Sequence, residues 1–206
     1  AGVLQALRAP LETGTVTVSR AGRSATFPAR FQLLMATNPC PCGNFGSSGK
    51  FCTCTPDMIE KYWRRMASPL LDRIDLRVPV EAPTPEDFAG TECFSTAELR
   101  KEIGIARIQQ WKRNKAINGK DAKEGWLNAN LSPSEIPEIC ALSGSTERLF
   151  ARCMTDSRFS GRGGHGILKV ARTIADLGES NDIMEDHLLE AAQFRRWNDC
   201  VPDFLR

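Results

Sequence analysis

The sequence predicts an α/β segment over residues 1–83, a linker over 84–95 and an all-helical segment over 96–206, with helix dominating overall. Three observations carry that reading. Strand-like runs are confined to the first segment, at Thr15–Val18, Phe31–Ala36 and Leu76–Val80. Glu81–Glu86 holds Pro83 and Pro85, which fix an extended path. Beyond it, capping residues and apolar residues at helical spacing recur to the end.

Each element follows from local chemistry. Val3, Leu4, Leu7 and Leu11 recur at helical spacing up to Gly14, so the chain reads as starting inside a helix. Thr15–Val18 alternates as a strand, Ser19–Arg23 reads as a turn, and Ser24–Pro28 returns, making a hairpin with Arg20 and Arg23 at its tip. Phe31–Ala36 is nearly continuous in apolar residues, as in a buried central strand. A cysteine-rich loop follows over 38–55. Thr55-Pro56 is an N-cap followed by a proline at the first helical position, and the helix to Met66 stacks Met58, Ile59, Tyr62, Trp63 and Met66 on one side. Ser68-Pro69 breaks it, Leu70–Asp75 is a short turn, and Leu76, Val78 and Val80 alternate as a further strand.

In the helical segment, Ser95 and Glu98 form a capping box for a helix to Ile117, closed by Asn118-Gly119. Ser132 with Glu135 is a second box, and Ser145 caps a helix carrying Leu149, Phe150 and Cys153. A fourth helix spans Gly163–Leu177, and a fifth Met184–Trp197.

Composition narrows the function classes. Of 206 residues, 41% are apolar and 25% charged, which is globular rather than disordered. No run approaches the ~18 apolar residues of a membrane span, and no basic-then-apolar leader is visible. The net charge of +2 is unevenly spread. Residues 1–30 set Arg8, Arg20, Arg23 and Arg30 against Glu12 alone, and residues 96–125 set eight basic against four acidic side chains. Such blocks are compatible with nucleic acid, although a solvated surface is the ordinary reading. Of eight cysteines, Cys40, Cys42, Cys52 and Cys54 form C-x-C-x9-C-x-C, while Cys93, Cys140, Cys153 and Cys200 are scattered. A cluster beside singles reads as a structural zinc site in a reducing compartment, the cytoplasm, since four thiolates leave no open coordination position. The plain alternative is four reduced surface thiols, an oxidation liability.

Four runs together are specific: MATNPCPCG at Met35–Gly43, Cys52-x-Cys54-Thr55-Pro56, SPLLDRIDL at Ser68–Leu76, and GILKVARTIADL at Gly166–Leu177. They resemble the magnesium-chelatase-like AAA+ ATPases, in the ComM-like branch, over the whole chain and in order. The resemblance implies the back part of an AAA+ P-loop core followed by a helical lid. It implies a ring homo-oligomer, a hexamer, with ATP and Mg2+ bound between subunits. Asn38 matches sensor 1; its neutral amide can hold both the attacking water and the γ-phosphate. Arg73 matches the arginine finger, the alternative being an ion pair with Asp72 or Asp75. Arg162 matches sensor 2 at a helix start, where the dipole also favours phosphate. There the sequence departs from the family's usual S-A-R: Ser160-Gly161-Arg162-Gly163-Gly164-His165-Gly166 is glycine-rich, so the first turn is expected to fray. The hairpin matches one that points into the pore of related ring helicases, making Arg20 and Arg23 DNA-contact candidates. The helix with Arg107, Trp111, Lys112, Arg113 and Lys115 is a second candidate, with a solvated face the preferred reading.

Neither a P-loop of the form G-x-x-x-x-G-K-[ST] nor an apolar run ending in Asp-Glu, the Walker B pattern, occurs among these residues. The expectation is therefore a C-terminal fragment, inactive by itself, of an ATPase that drives DNA translocation or branch migration. Two alternatives stand beside it. One is a magnesium chelatase subunit inserting metal into a porphyrin; the other is a zinc-stabilised nucleic-acid module that works without ATP.

Overall fold

Pro10 decides how the chain begins. Lacking an N–H, it cannot bond the carbonyl of Ala6, and the expected single helix is broken into α1 (Gly2–Ala6) and α2 (Arg8–Thr13). The structure is a computed structural model that describes residues 2–47, 49–66, 68–81, 83, 94–119, 126–156 and 159–195. The described residues form two compact units, one up to Ile74 and the other from Asp75 onward. Residues 84–93, which include Pro85 and most of the expected 84–95 linker, and the end of the fifth predicted helix at Trp197 lie outside them.

In the first unit, Gly14 caps α2 with φ of 66° and leads into the hairpin β1 (Thr15–Arg20) and β2 (Arg23–Pro28). The strands pair antiparallel from Thr15↔Pro28 to Arg20↔Arg23. The turn is tighter than the five residues expected: only Ala21 and Gly22 lie between the strands, with φ of 50° and 76°. Positive φ at both central residues is the type I′ pattern, whose twist matches that of the strands. Residues directly opposite share a face, so Val16, Val18, Phe27 and Ala25 lie with Arg20 and Arg23, and the threonines and serines lie on the other.

Two expected strands do not form. Residues 29–38 carry no ladder and Leu34 is 93% exposed; residues 74–80 are likewise irregular, with Val80 90% exposed. An apolar run becomes a strand only where a neighbour offers its own N–H and C=O groups, and the hairpin is the only sheet among the described residues. The architecture described is thus mostly helical, as expected, with a small two-stranded sheet in the first unit.

The helix α3 (Pro56–Met66) starts as expected, with the Met58 N–H donating to Thr55 Oγ1 at 3.3 Å. It buries Ile59 and Trp63 against Cys40, with Phe45, Cys52, Cys54, Tyr62 and Leu71 packed around them. Met58, expected inward, is 46% exposed. The short α4 (Ser68–Leu71) buries Leu70.

The second unit packs α5 (Thr96–Asn118), α6 (Ile136–Ile139), α7 (Gly144–Asp156), α8 (Gly161–Leu177) and α9 (Glu185–Gln193) around one core. Ile167, Leu168, Ala171 and Ala175 of α8 meet Leu188 and Ala191 of α9, with Leu131, Ile136, Ile139 and Ile183 filling between. The Ser95–Glu98 box is formed in both directions, at 2.8 and 3.2 Å. Helix α7 starts at Gly144, which places Ser145 inside its first turn rather than at the cap. Two glycines of α8 are closely packed: a Cβ on Gly166 would lie 2.6 Å from Asp75 Oδ1 and 2.7 Å from Arg195 Nη2, and one on Gly164 would lie 2.9 Å from Met154 Sδ. The helix begins at Gly161, two residues before the expected Gly163, because Ser160 caps it, its Oγ accepting the Gly163 N–H at 2.9 Å.

Candidate nucleotide-sensing residues and metal centre

The backbone around Asn38 is held from both sides by α3. Thr37 Oγ1 lies 2.9 Å from the Tyr62 hydroxyl, and Trp63 Nε1–H donates to the Pro39 carbonyl at 2.9 Å. Asn38 itself is exposed. Gly43, with φ of 82°, turns the loop back so that a Cβ there would sit 3.8 Å from the Asn38 amide nitrogen. An anchored backbone with a solvent-facing neutral amide is what a phosphate-sensing residue needs.

Two residues on, Cys40 is fully buried and opens the cysteine cluster. Its Sγ lies 3.3 Å from that of Cys42 and 3.7 Å from that of Cys52; Cys42 and Cys52 are also 3.7 Å apart. All four sulfurs, with Cys54, fall within 4.8 Å of one another. These gaps are far beyond a covalent S–S bond of about 2.05 Å. They bracket the edge of a tetrahedron with 2.3 Å arms, about 3.8 Å, which is the Zn–S geometry. The Phe45 N–H donates to Cys40 Sγ at 3.4 Å, the outer-shell support that metal thiolates receive. The thiols are electrostatically unequal. Backbone N–H groups of Asn44 and Thr53 bring the Cys42 thiol down to about 6, whereas partial burial pushes that of Cys54 up to about 12. The donor set fits zinc. Of the scattered cysteines, burial pushes Cys140 up to about 11 and leaves it an inert core residue; Cys153 is also buried, and Cys93 and Cys200 lie outside the described residues.

Arg73 follows α4, its N–H donating to the Leu70 carbonyl at 2.9 Å. Its guanidinium is paired with Glu12 of α2, a partner that sequence spacing did not offer. The one available signal was that Glu12 is the single acid among residues 1–30. Asp75, a partner considered for Arg73, instead accepts from Arg195 Nη2 at 3.1 Å. Leu71, just before Asp72 and Arg73, packs on the same Cys40–Ile59–Trp63 core that flanks Asn38. Arg162 lies in the second unit, exposed in the first turn of α8.

Arg20 and Arg23 face each other at the hairpin tip, both exposed. On α5, Arg107, Trp111, Lys112 and Lys115 are exposed, but Arg113 turns inward and is bound to the fully buried Asp176. It leaves the set of nucleic-acid candidates because its charge is spent in the core. Arg172 Nε at 3.2 Å and Asn128 Nδ2 at 2.8 Å complete that carboxylate's partners.

The family model described as magnesium chelatase, subunit ChlI, matches residues 1–88, and that of the ChlI C-terminal region matches residues 94–195. The chain belongs to the magnesium-chelatase-like family. It is 36% identical over 194 residues to YifB of Escherichia coli K12, covering 93% of this chain and 36% of that protein. It is 36% identical over 195 residues to the competence protein ComM of Haemophilus influenzae, covering 94% and 36%. To Rv2897c of Mycobacterium tuberculosis the identity is 32% over 197 residues, covering 94% and 37%. The chain thus spans little more than a third of the length of these magnesium-chelatase-like relatives. No helix among the described residues is long and apolar enough to cross a membrane.

Proposed function

We propose that this chain contributes sensor 1 (Asn38), the arginine finger (Arg73) and sensor 2 (Arg162) to an ATP site between subunits of a ring, and that the ring drives translocation or branch migration on DNA. The observation that carries the reading is the shared core of Cys40, Ile59 and Trp63, with Tyr62 and Leu71 packed on it. It seats the residues flanking Asn38 and those preceding Arg73 on one anchored base, and phosphoryl transfer is catalysed mainly by positioning and charge. Bound ATP and Mg2+ supply the transferred phosphoryl group and its counter-charge. Asn38 then orients water, Arg73 meets the γ-phosphate of a neighbouring subunit, and Arg162 adds a second cation at a helix N-terminus. In this reading residues 96–206 are the lid. Glu12 parks the finger until a triphosphate, with more negative charge, draws it away. Zinc on Cys40, Cys42, Cys52 and Cys54 is structural and braces the loop beside sensor 1. Arg20 and Arg23 grip DNA phosphates without reading sequence.

In the full-length protein, Arg73→Ala is expected to lower ATP hydrolysis by about 10³–10⁵ while nucleotide binding is retained. Turnover equal to wild type would remove the finger assignment. The description of the matching family favours a second reading, ATP-driven metal insertion into a porphyrin. Hydrolysis stimulated by DNA decides for the first, and stimulation only by chelatase partners for the second.

A further inference from the structure

Helix α5 presents two chemically different sides. Ala106, Gln110 and Asn114 are buried on the side that packs on α8. At 3.6 residues per turn, Arg100, Lys101, Arg107, Lys112 and Lys115 fall within an arc of about 140° on the other side. All five are exposed, and none is paired with a carboxylate among the described residues. The helix's own acids, Glu98 and Glu102, lie outside the arc, and Glu98 is committed to Ser95. From Arg100 to Lys115 the stripe runs about 22 Å, enough to follow a length of polyanion rather than one phosphate.

The same arc holds Gly104, Ile108 and Trp111. Gly104 has open space where a Cβ would point, which lets a ligand backbone come close. Trp111 is 46% exposed and Ile108 54%. The Lys115 ammonium sits 4.9 Å from the centroid of the indole ring. A base stacked on that ring takes the place of the cation, which is then beside the adjoining phosphate. A membrane surface is a poorer match: only Ile108 and Trp111 lie among the cations, while the other exposed apolar side chains of α5, Leu99, Ile103 and Ile117, fall outside the arc, so no single apolar face backs the basic one.

We propose that the solvent face of α5 binds single-stranded nucleic acid, its cations tracking the phosphates and Trp111 stacking a base. Recognition there is tolerant of sequence, because cations and a π-face read no base edges. The surface extends the DNA-handling reading above but rests on different residues and needs no nucleotide.

The test is anisotropy of labelled oligothymidine of about 20 nucleotides with the 206-residue chain, without ATP, over a salt series. The double variant Arg107→Glu/Lys115→Glu is expected to weaken binding at least about tenfold and to reduce the slope of log affinity against log salt by about 1.4. Trp111→Ala should weaken binding on the order of tenfold with the slope unchanged, and have no effect on duplex DNA. Circular dichroism confirms that the variants keep their helix content. An oligouridine arm says whether DNA or RNA is preferred, either preference being supportive. The proposal is overturned if wild type does not bind, if either variant binds like wild type, or if phosphatidylserine vesicles outcompete the oligonucleotide. Loss confined to Arg20→Glu/Arg23→Glu would place the strand on the hairpin and overturn the α5 surface. It would leave the ring-ATPase reading, tested through Arg73, standing.

Discussion

Asp176 sits at the centre of the most polar part of a helical core, its side chain fully buried. Arg113, Arg172 and Asn128 all donate to it, and Asn128 also donates its side-chain amide to Thr173 Oγ1 and its backbone N–H to Gln110 Oε1, each at 3.1 Å. Arg172 further ties the Ser180 and Asn181 carbonyls at 2.6 and 2.7 Å. Removing the carboxylate would leave two guanidinium groups without their counter-charge. Asp176→Ala is therefore expected to cost about 3–5 kcal/mol, read as a lowered urea midpoint at unchanged slope. None of this was legible in the sequence. Arg172 and Asp176 look like any exposed i,i+4 pair, and Arg113 stands 63 residues from its partner, among lysines and arginines that do face water. The cysteines were legible because four sulfur ligands within fifteen residues have few other uses; Glu12 was not, because an ion pair to Arg73 spans 61 residues.

Helix starts were read correctly at Thr55 and at Ser95 with Glu98, where a side chain closes its own hydrogen bond locally. They were not at Ser160, whose helix starts at Gly161 rather than Gly163, nor at Ser132, which donates to Glu135 while the helix starts only at Ile136. The Glu98 carboxyl is held below the usual carboxylate range by hydrogen bonds from Ser95. Its contribution is complete above the unfolded value of 4.5 and is lost as pH falls through the lower folded value. Hydrogen exchange in the first turn of α5 should thus be faster in Glu98→Gln at neutral pH, with the difference vanishing in acid. Strands were harder to read. The run Phe31–Ala36 has strand composition but no partner among the described residues, and pairing is a property of two segments, not one. The hairpin escaped that problem because its partner follows at once. Its turn length was nonetheless missed, since Ala21 carries no signal for the left-handed conformation it adopts.

At the scale of the chain, two units have separate cores, and the cysteine cluster belongs to one of them. If the cluster holds structural zinc, metal analysis should give about one zinc per chain, lost in Cys40→Ser. Chelation should then abolish the thermal transition of the first unit while the α8–α9 unit keeps its own. A metal-free chain with unchanged melting would reduce the cluster to four thiols. Family membership was legible across the whole length because motifs survive where folds must be seen to be known. The arrangement around Gly166 has a consequence of another kind. A side chain at that position could enter only if the tips of Asp75 and Arg195 swung aside, so a substitution at Gly166 would be felt at an ion pair remote from it in sequence.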